Sequence, residues 1–165
     1  GHPRPYHTAS LSCRARSLPM QSLPHVYHAE AMATPSSKVI VEAAYLPTLA
    51  TDAPPEFGGP EGLWSPETLF MAAIADCFVL SFRAIARASK FEWSGLRCTA
   101  HGYLDKDAEG VLRFTRIELR PVLSLTPGSD EARAQKLLEK AERSCLVSNS
   151  LRCDIASSAE LVYTN

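Results

Sequence analysis

From Thr68 to Ser89 the chain runs without a glycine or a proline. Apolar side chains occupy nearly every side of the helix that this implies. Leu69, Ala73, Cys77, Leu80 and Ala84 repeat at helical spacing, while Phe70, Ile74, Phe78 and Phe82 fill a second face. A helix apolar on most sides until Arg83 and Arg87 has to be covered nearly all round, so it predicts a central element on which the remainder packs. Its start is marked by Ser65 as a cap, Pro66 at the first helical position and Glu67 at the positive end of the dipole. The small residues Ala72, Ala73 and Ala75 permit close packing against a second helix. Phe70 to Phe82 is the most apolar stretch, 13 residues interrupted by Asp76 and Ser81. It reads as buried rather than bilayer-spanning, since a span takes about 20 apolar residues.

Around this helix the sequence predicts strands. Val26–Ala33 and Lys38–Tyr45 read as two short strands, the second with the β-branched run Val39-Ile40-Val41, and Thr34-Pro35-Ser36-Ser37 supplies the turn between them. Leu46–Leu63 holds four prolines and three glycines and predicts a long loop. Beyond the helix, Leu96–Asp105 and Val111–Leu125 form a hairpin with its turn near Asp107-Ala108-Glu109-Gly110. A second helix follows, capped by Ser129, with Asp130 and Glu131 in its first turn and a stripe of Ala134, Leu138, Ala141 and Cys145. Cys153–Tyr163 closes the chain as a strand. The order ββ-α-ββ-α-β implies an α+β domain, with two central helices packed on a curved antiparallel sheet.

At 165 residues this makes one domain over residues 23–165, preceded by a tail over residues 1–22. The start carries Arg4, Arg14 and Arg16, several serines and no acid. It reads either as extraneous upstream sequence, with Met20 an available start, or as a segment resembling an organellar transit peptide. Seventeen Lys+Arg against eighteen Asp+Glu leave a formal charge of −1. That balance offers no basic footprint for nucleic acid and no polybasic patch for a membrane. The five cysteines (Cys13, Cys77, Cys98, Cys145 and Cys153) are odd in number and lack any CxxC pair. They predict a reducing, cytoplasmic setting rather than a disulfide scaffold.

Two of these thiols carry candidate chemistry. Cys77, inside the apolar helix, is either a small buried hydrophobe or a reactive thiol; reactivity requires a nearby cation or a helix N-terminus, and three turns into the helix the dipole helps little. Cys145, on the apolar stripe where the second helix should stop, can approach it, as a resolving thiol must. Cys98 and Cys153 read as packing residues. Glu67 has a ready explanation as a first-turn acid. At 1.5 Å per residue it lies about 15 Å from Cys77 along the axis, so the two can meet only through a break in the helix or through a partner chain. His25 and His28, on a predicted strand, have no acid at metal-ligand spacing.

The segment Ser65-Pro66-Glu67-Thr68-Leu69-Phe70-Met71-Ala72-Ala73-Ile74-Ala75-Asp76-Cys77-Phe78 resembles the first cysteine motif of the OsmC/Ohr family, the osmotically inducible and organic hydroperoxide resistance proteins. Ala141-Glu142-Arg143-Ser144-Cys145-Leu146-Val147-Ser148-Asn149-Ser150-Leu151 resembles the second. The resemblance spans Leu23 to Tyr163. It implies an OsmC-like fold, an intertwined homodimer with sites at the subunit interface, and a thiol peroxidase without metal, flavin or haem. In that reading Cys77 is the peroxidatic cysteine, Cys145 the resolving one, and Glu67 part of the site. The substrates are organic hydroperoxides, and an external dithiol restores the enzyme.

Family peroxidases also pair an arginine from the early strands, or the loop after them, with the glutamate. Here no arginine occurs between Gln21 and Ile74, where Lys38 is the sole cation besides histidine. The alternative sources of a cation are the tail, Arg83 or Arg87, and His25 or His28; Arg83, six residues after Cys77, faces away on a straight helix. The missing arginine favours a second reading, a non-catalytic dimer of the same fold binding an apolar small molecule. A third reading, acyl transfer or hydrolysis by Cys77, needs a histidine base that has no triad context here.

Overall fold

The computed structural model describes residues 20–165. The tail expectation for residues 1–19 lies outside the described residues. Residues 20–29 are exposed and carry no regular secondary structure.

The central helix forms as its end signals demand. Helix α1 runs Pro66–Ala88. Ser65 Oγ accepts from the Thr68 N–H at 3.1 Å while Thr68 Oγ1 accepts from the Ser65 N–H at 2.9 Å, a reciprocal capping box. At the other end Lys90 takes φ +53°, the Phe91 N–H donates to Ala86 O at 2.9 Å and the Lys90 N–H to Arg87 O at 3.1 Å. These two bonds are a Schellman stop, and they turn Phe91 back into the core. Ile74, Phe78, Phe82 and Ala86, spaced by four, are each 0 % exposed and form the buried stripe. At 23 residues α1 is long and apolar enough, by length and composition alone, to cross a membrane. The helix is longer than the 13-residue apolar stretch at its centre. Its contacts are those of a core helix, with strand, helix and the Trp93 ring, whose centroid sits 5.4 Å from that of Phe82.

Three strands precede it. β1 (Glu30–Met32), β2 (Val39–Glu42) and β3 (Leu49–Thr51) make an antiparallel sheet in that order. Both early strands are shorter than expected, and His25 and His28 precede β1 rather than lie on it. β3 lies inside the expected loop; pairing with β2, not its own propensity, makes it a strand. The rest of that loop is held by contact: a Cβ on Gly59 would stand 1.7 Å from the carbonyl oxygen of Ala53, so only glycine fits.

β4 (Gly95–Lys106) and β5 (Leu112–Leu125) form the long hairpin, closed by Asp107 Oδ1 accepting from the Glu109 and Val111 N–H groups. Along β5, Ile117, Leu119, Leu123 and Leu125 are buried while Arg116, Glu118 and Arg120 link into an outer ion-pair row. The expected single closing strand is two, β6 (Asp154–Ser157) and β7 (Glu160–Tyr163), both parallel to β5, so this sheet is mixed. Pro121 supplies a reason. β6 pairs with residues 116–119 and β7 with 122–125, leaving the gap at Arg120 and Pro121, where proline has no N–H for a ladder.

Helix α2 (Glu131–Ser144) is capped by Asp130, whose Oδ1 accepts from the Arg133 N–H at 3.0 Å. Ser129, the expected cap, instead donates to Thr126 O at 2.7 Å. Ala134, Leu137, Leu138 and Ala141 bury against α1 and the sheet. The chain turns extended at Cys145 and restarts as the short α3 (Leu146–Asn149).

Candidate active site

Cys77 and Cys145 come together where α1 meets the α2–α3 corner. The face of α1 bearing Cys77, Leu80, Ser81 and Ala84 fronts Leu146 and Val147 of α3 across an open groove of about 640 Å³. Its walls are mostly apolar, with Asp76, Ser81 and Ser144 the polar exceptions, and Leu80 is 46 % exposed. Cys77 itself is half-buried.

The two thiols sit in opposite electrostatic settings. Burial pushes the Cys77 thiol up, but the polar groups that face it, the Val147 and Leu146 amides and the Cys145 and Ser81 side chains, outweigh burial and hold Cys77 below its ordinary value. Cys145 is fully buried. Burial raises its thiol; the Ser148 hydroxyl, donating to Sγ at 3.2 Å, works the other way but loses to burial and to neighbouring Cys77. The pair is therefore asymmetric: the surroundings shift Cys77 towards the thiolate and Cys145 away from it. No side chain of arginine, lysine or histidine lines the groove among the described residues.

Glu67 is not part of this cluster within one chain. α1 is unbroken, so the helix-break route between Glu67 and Cys77 is closed. Glu67 opens instead onto a cavity of about 320 Å³ lined with Phe57, Met71, Leu104 and Phe114. Its Oε2 is buried with no hydrogen-bond partner among the described residues. Gly102 shapes this cavity, since a Cβ there would come within 2.7 Å of Met71 Sδ.

The remaining thiols differ. Cys98, half-buried on β4, is pushed up to about 11 by burial, with the nearby charge of Cys145 adding to it. Cys153, half-buried just before β6, packs against the core. All four described cysteines are free, and no group of three metal-ligating side chains occurs among the described residues.

Ser81, Leu146 and Val147 are the site residues that sequence reasoning missed. The four-residue spacing from Cys77 to Ser81 was a readable signal for the first. Nothing local announces the other two, because their amides reach the thiol only through the extended turn at Cys145.

Two adjoining thiols, one within α1 and one where α2 ends, on an α+β fold define a class. The family model described as OsmC-like protein matches residues 59–159. The chain belongs to the OsmC-like family. It is 29 % identical over 105 residues to the uncharacterized protein YmaD of Bacillus subtilis, covering 62 % of this chain and 69 % of that one. An OsmC-like protein of unknown function from Vibrio cholerae superposes with a TM-score of 0.75 at 22 % identity, over 82 % of this chain and 99 % of its own. An organic hydroperoxide resistance protein OsmC from Legionella pneumophila gives 0.68 at 25 % identity, over 86 % and 99 %.

Proposed function

We propose that this protein is a thiol peroxidase that reduces organic hydroperoxides, with Cys77 as nucleophile and Cys145 as resolving thiol. The observation that carries the reading is the contact of a half-exposed thiol held low with a buried thiol held high. The Cys77 thiolate attacks the terminal oxygen of R–O–O–H; the O–O bond breaks, Cys77 becomes a sulfenic acid, and the alkoxide takes a proton and leaves as alcohol. The Cys145 sulfur then displaces the hydroxyl from Cys77 as water, forming a disulfide. Two electrons from an external dithiol restore both thiols. The apolar groove wall around Leu80 suits hydroperoxides with hydrocarbon bodies.

The exposed apolar face of α1 supports a homodimer, and a partner chain is then the route by which Glu67 serves a Cys77. The free thiols agree with a reducing compartment such as the cytoplasm. One equivalent of tert-butyl hydroperoxide added to reduced protein should remove two thiols and yield a Cys77–Cys145 link on peptide mapping. Unchanged thiols after minutes would overturn the peroxidase. A second reading, a non-catalytic dimer binding an apolar small molecule, draws on the absence of arginine between Gln21 and Ile74; it would then take the field.

A further inference from the structure

Among the described residues, no cation lines the groove at Cys77. The ionisable groups facing it are Asp76 from the same helix and Cys145 from the end of α2, while α3 brings only Leu146 and Val147. The donors that these residues offer a thiolate are neutral. Two hydroxyls line the groove, those of Ser81 and Ser144. Ser144 is exposed at the end of α2, whereas Ser81 is half-buried. Ser81 follows Cys77 by four residues on α1, so the two side chains stand one above the other on one face. In an otherwise apolar segment, serine at this position is a weaker helix former than the alanines around it, so propensity does not explain it.

We propose that the Ser81 hydroxyl donates a hydrogen bond to the Cys77 thiolate and orients it for attack, in the place where a cation would otherwise act. This rests on the thiol peroxidase reading for its purpose, but not for its test. A serine at this spacing is also able to bond back to the carbonyl four residues earlier, a purely structural use. That role would leave the titration of Cys77 unmoved, so the titration distinguishes the two.

The experiment measures iodoacetamide alkylation of Cys77 across pH, followed by peptide mass, in the full chain and in its Ser81→Ala and Ser81→Thr variants. Losing a hydrogen bond to a charged group should shift the Cys77 profile up by about one pH unit in S81A. S81T, which keeps the hydroxyl, should retain the original profile. The reaction of S81A with tert-butyl hydroperoxide at neutral pH should slow by about threefold, because tenfold less thiolate is partly offset by a more basic nucleophile. An unshifted alkylation profile in S81A, with native circular dichroism, overturns the proposal even if peroxide reduction slows. If the profile shifts but the unsubstituted protein ignores peroxide, the Ser81 role stands and the peroxidase reading falls.

Discussion

Glu67 and Cys77 lie ten residues apart on one unbroken helix and open onto different cavities. A carboxylate whose Oε2 is buried and unpaired is costly unless something reaches it. If a second chain closes over α1, each Glu67 can serve the partner's thiol. Cys77→Ser and Glu67→Ala homodimers should both lose most peroxide reduction. Mixing the two after mild unfolding should restore activity, because one of the two sites in a heterodimer then holds both groups. Mixtures as inactive as their parents would show that Glu67 does not act across an interface.

If Cys145 resolves Cys77 as proposed, removing it should separate the two chemical steps. Cys145→Ser should still consume the first equivalent of hydroperoxide, and excess peroxide should then drive Cys77 to sulfinic acid, read as a gain of two oxygen atoms by intact mass. A variant that turns over repeatedly with dithiol, free of over-oxidation, would remove Cys145 from the mechanism.

The thiols should react in a fixed order. Cys77, held low by hydrogen bonds, should alkylate fastest at neutral pH and reach its plateau below the pH of an ordinary thiol. Cys98, pushed up to about 11, should remain unmodified until the pH is far higher or the chain unfolds. The signs for stability are opposite. A depressed Cys77 adds stability as pH rises from its folded value to its unfolded one, and Cys77→Ser should abolish that gain. A raised Cys98 removes stability as pH climbs from the ordinary value towards about 11, and Cys98→Ala should flatten that loss. Urea midpoints across pH measure both.

Phe78 follows Cys77 in sequence but lies on the buried stripe of α1, 0 % exposed. Phe78→Ala should destabilise the fold by about 3–5 kcal/mol through lost burial and the cavity left behind. Chemical denaturation would show it as a lower midpoint at similar slope; a loss under about 1 kcal/mol would mean the core closes over the gap.

Much of this was legible along the chain. Ser65, Pro66 and the run without glycine or proline located α1; the thiols of Cys77 and Cys145 stood out with their motifs; the β4–β5 hairpin followed from alternation around an Asp–Gly turn. These are local signals, since capping, turn chemistry and side-chain period act over a few residues. β3 escaped notice because Leu49-Ala50-Thr51 becomes a strand only against β2. The split of the last strand escaped too, because Pro121, the residue opposite the gap, lies more than thirty residues earlier.

By itself the sequence determined the two helices, the hairpin, the identity of both thiols and the lack of an early arginine. Tertiary structure alone decided that the Leu146 and Val147 amides face Cys77, that burial raises Cys145, and that Glu67 stands apart from both within one chain. The reason is physical: a thiol's charge depends on the donors and solvent that packing brings to it, and those come from segments nearly seventy residues away.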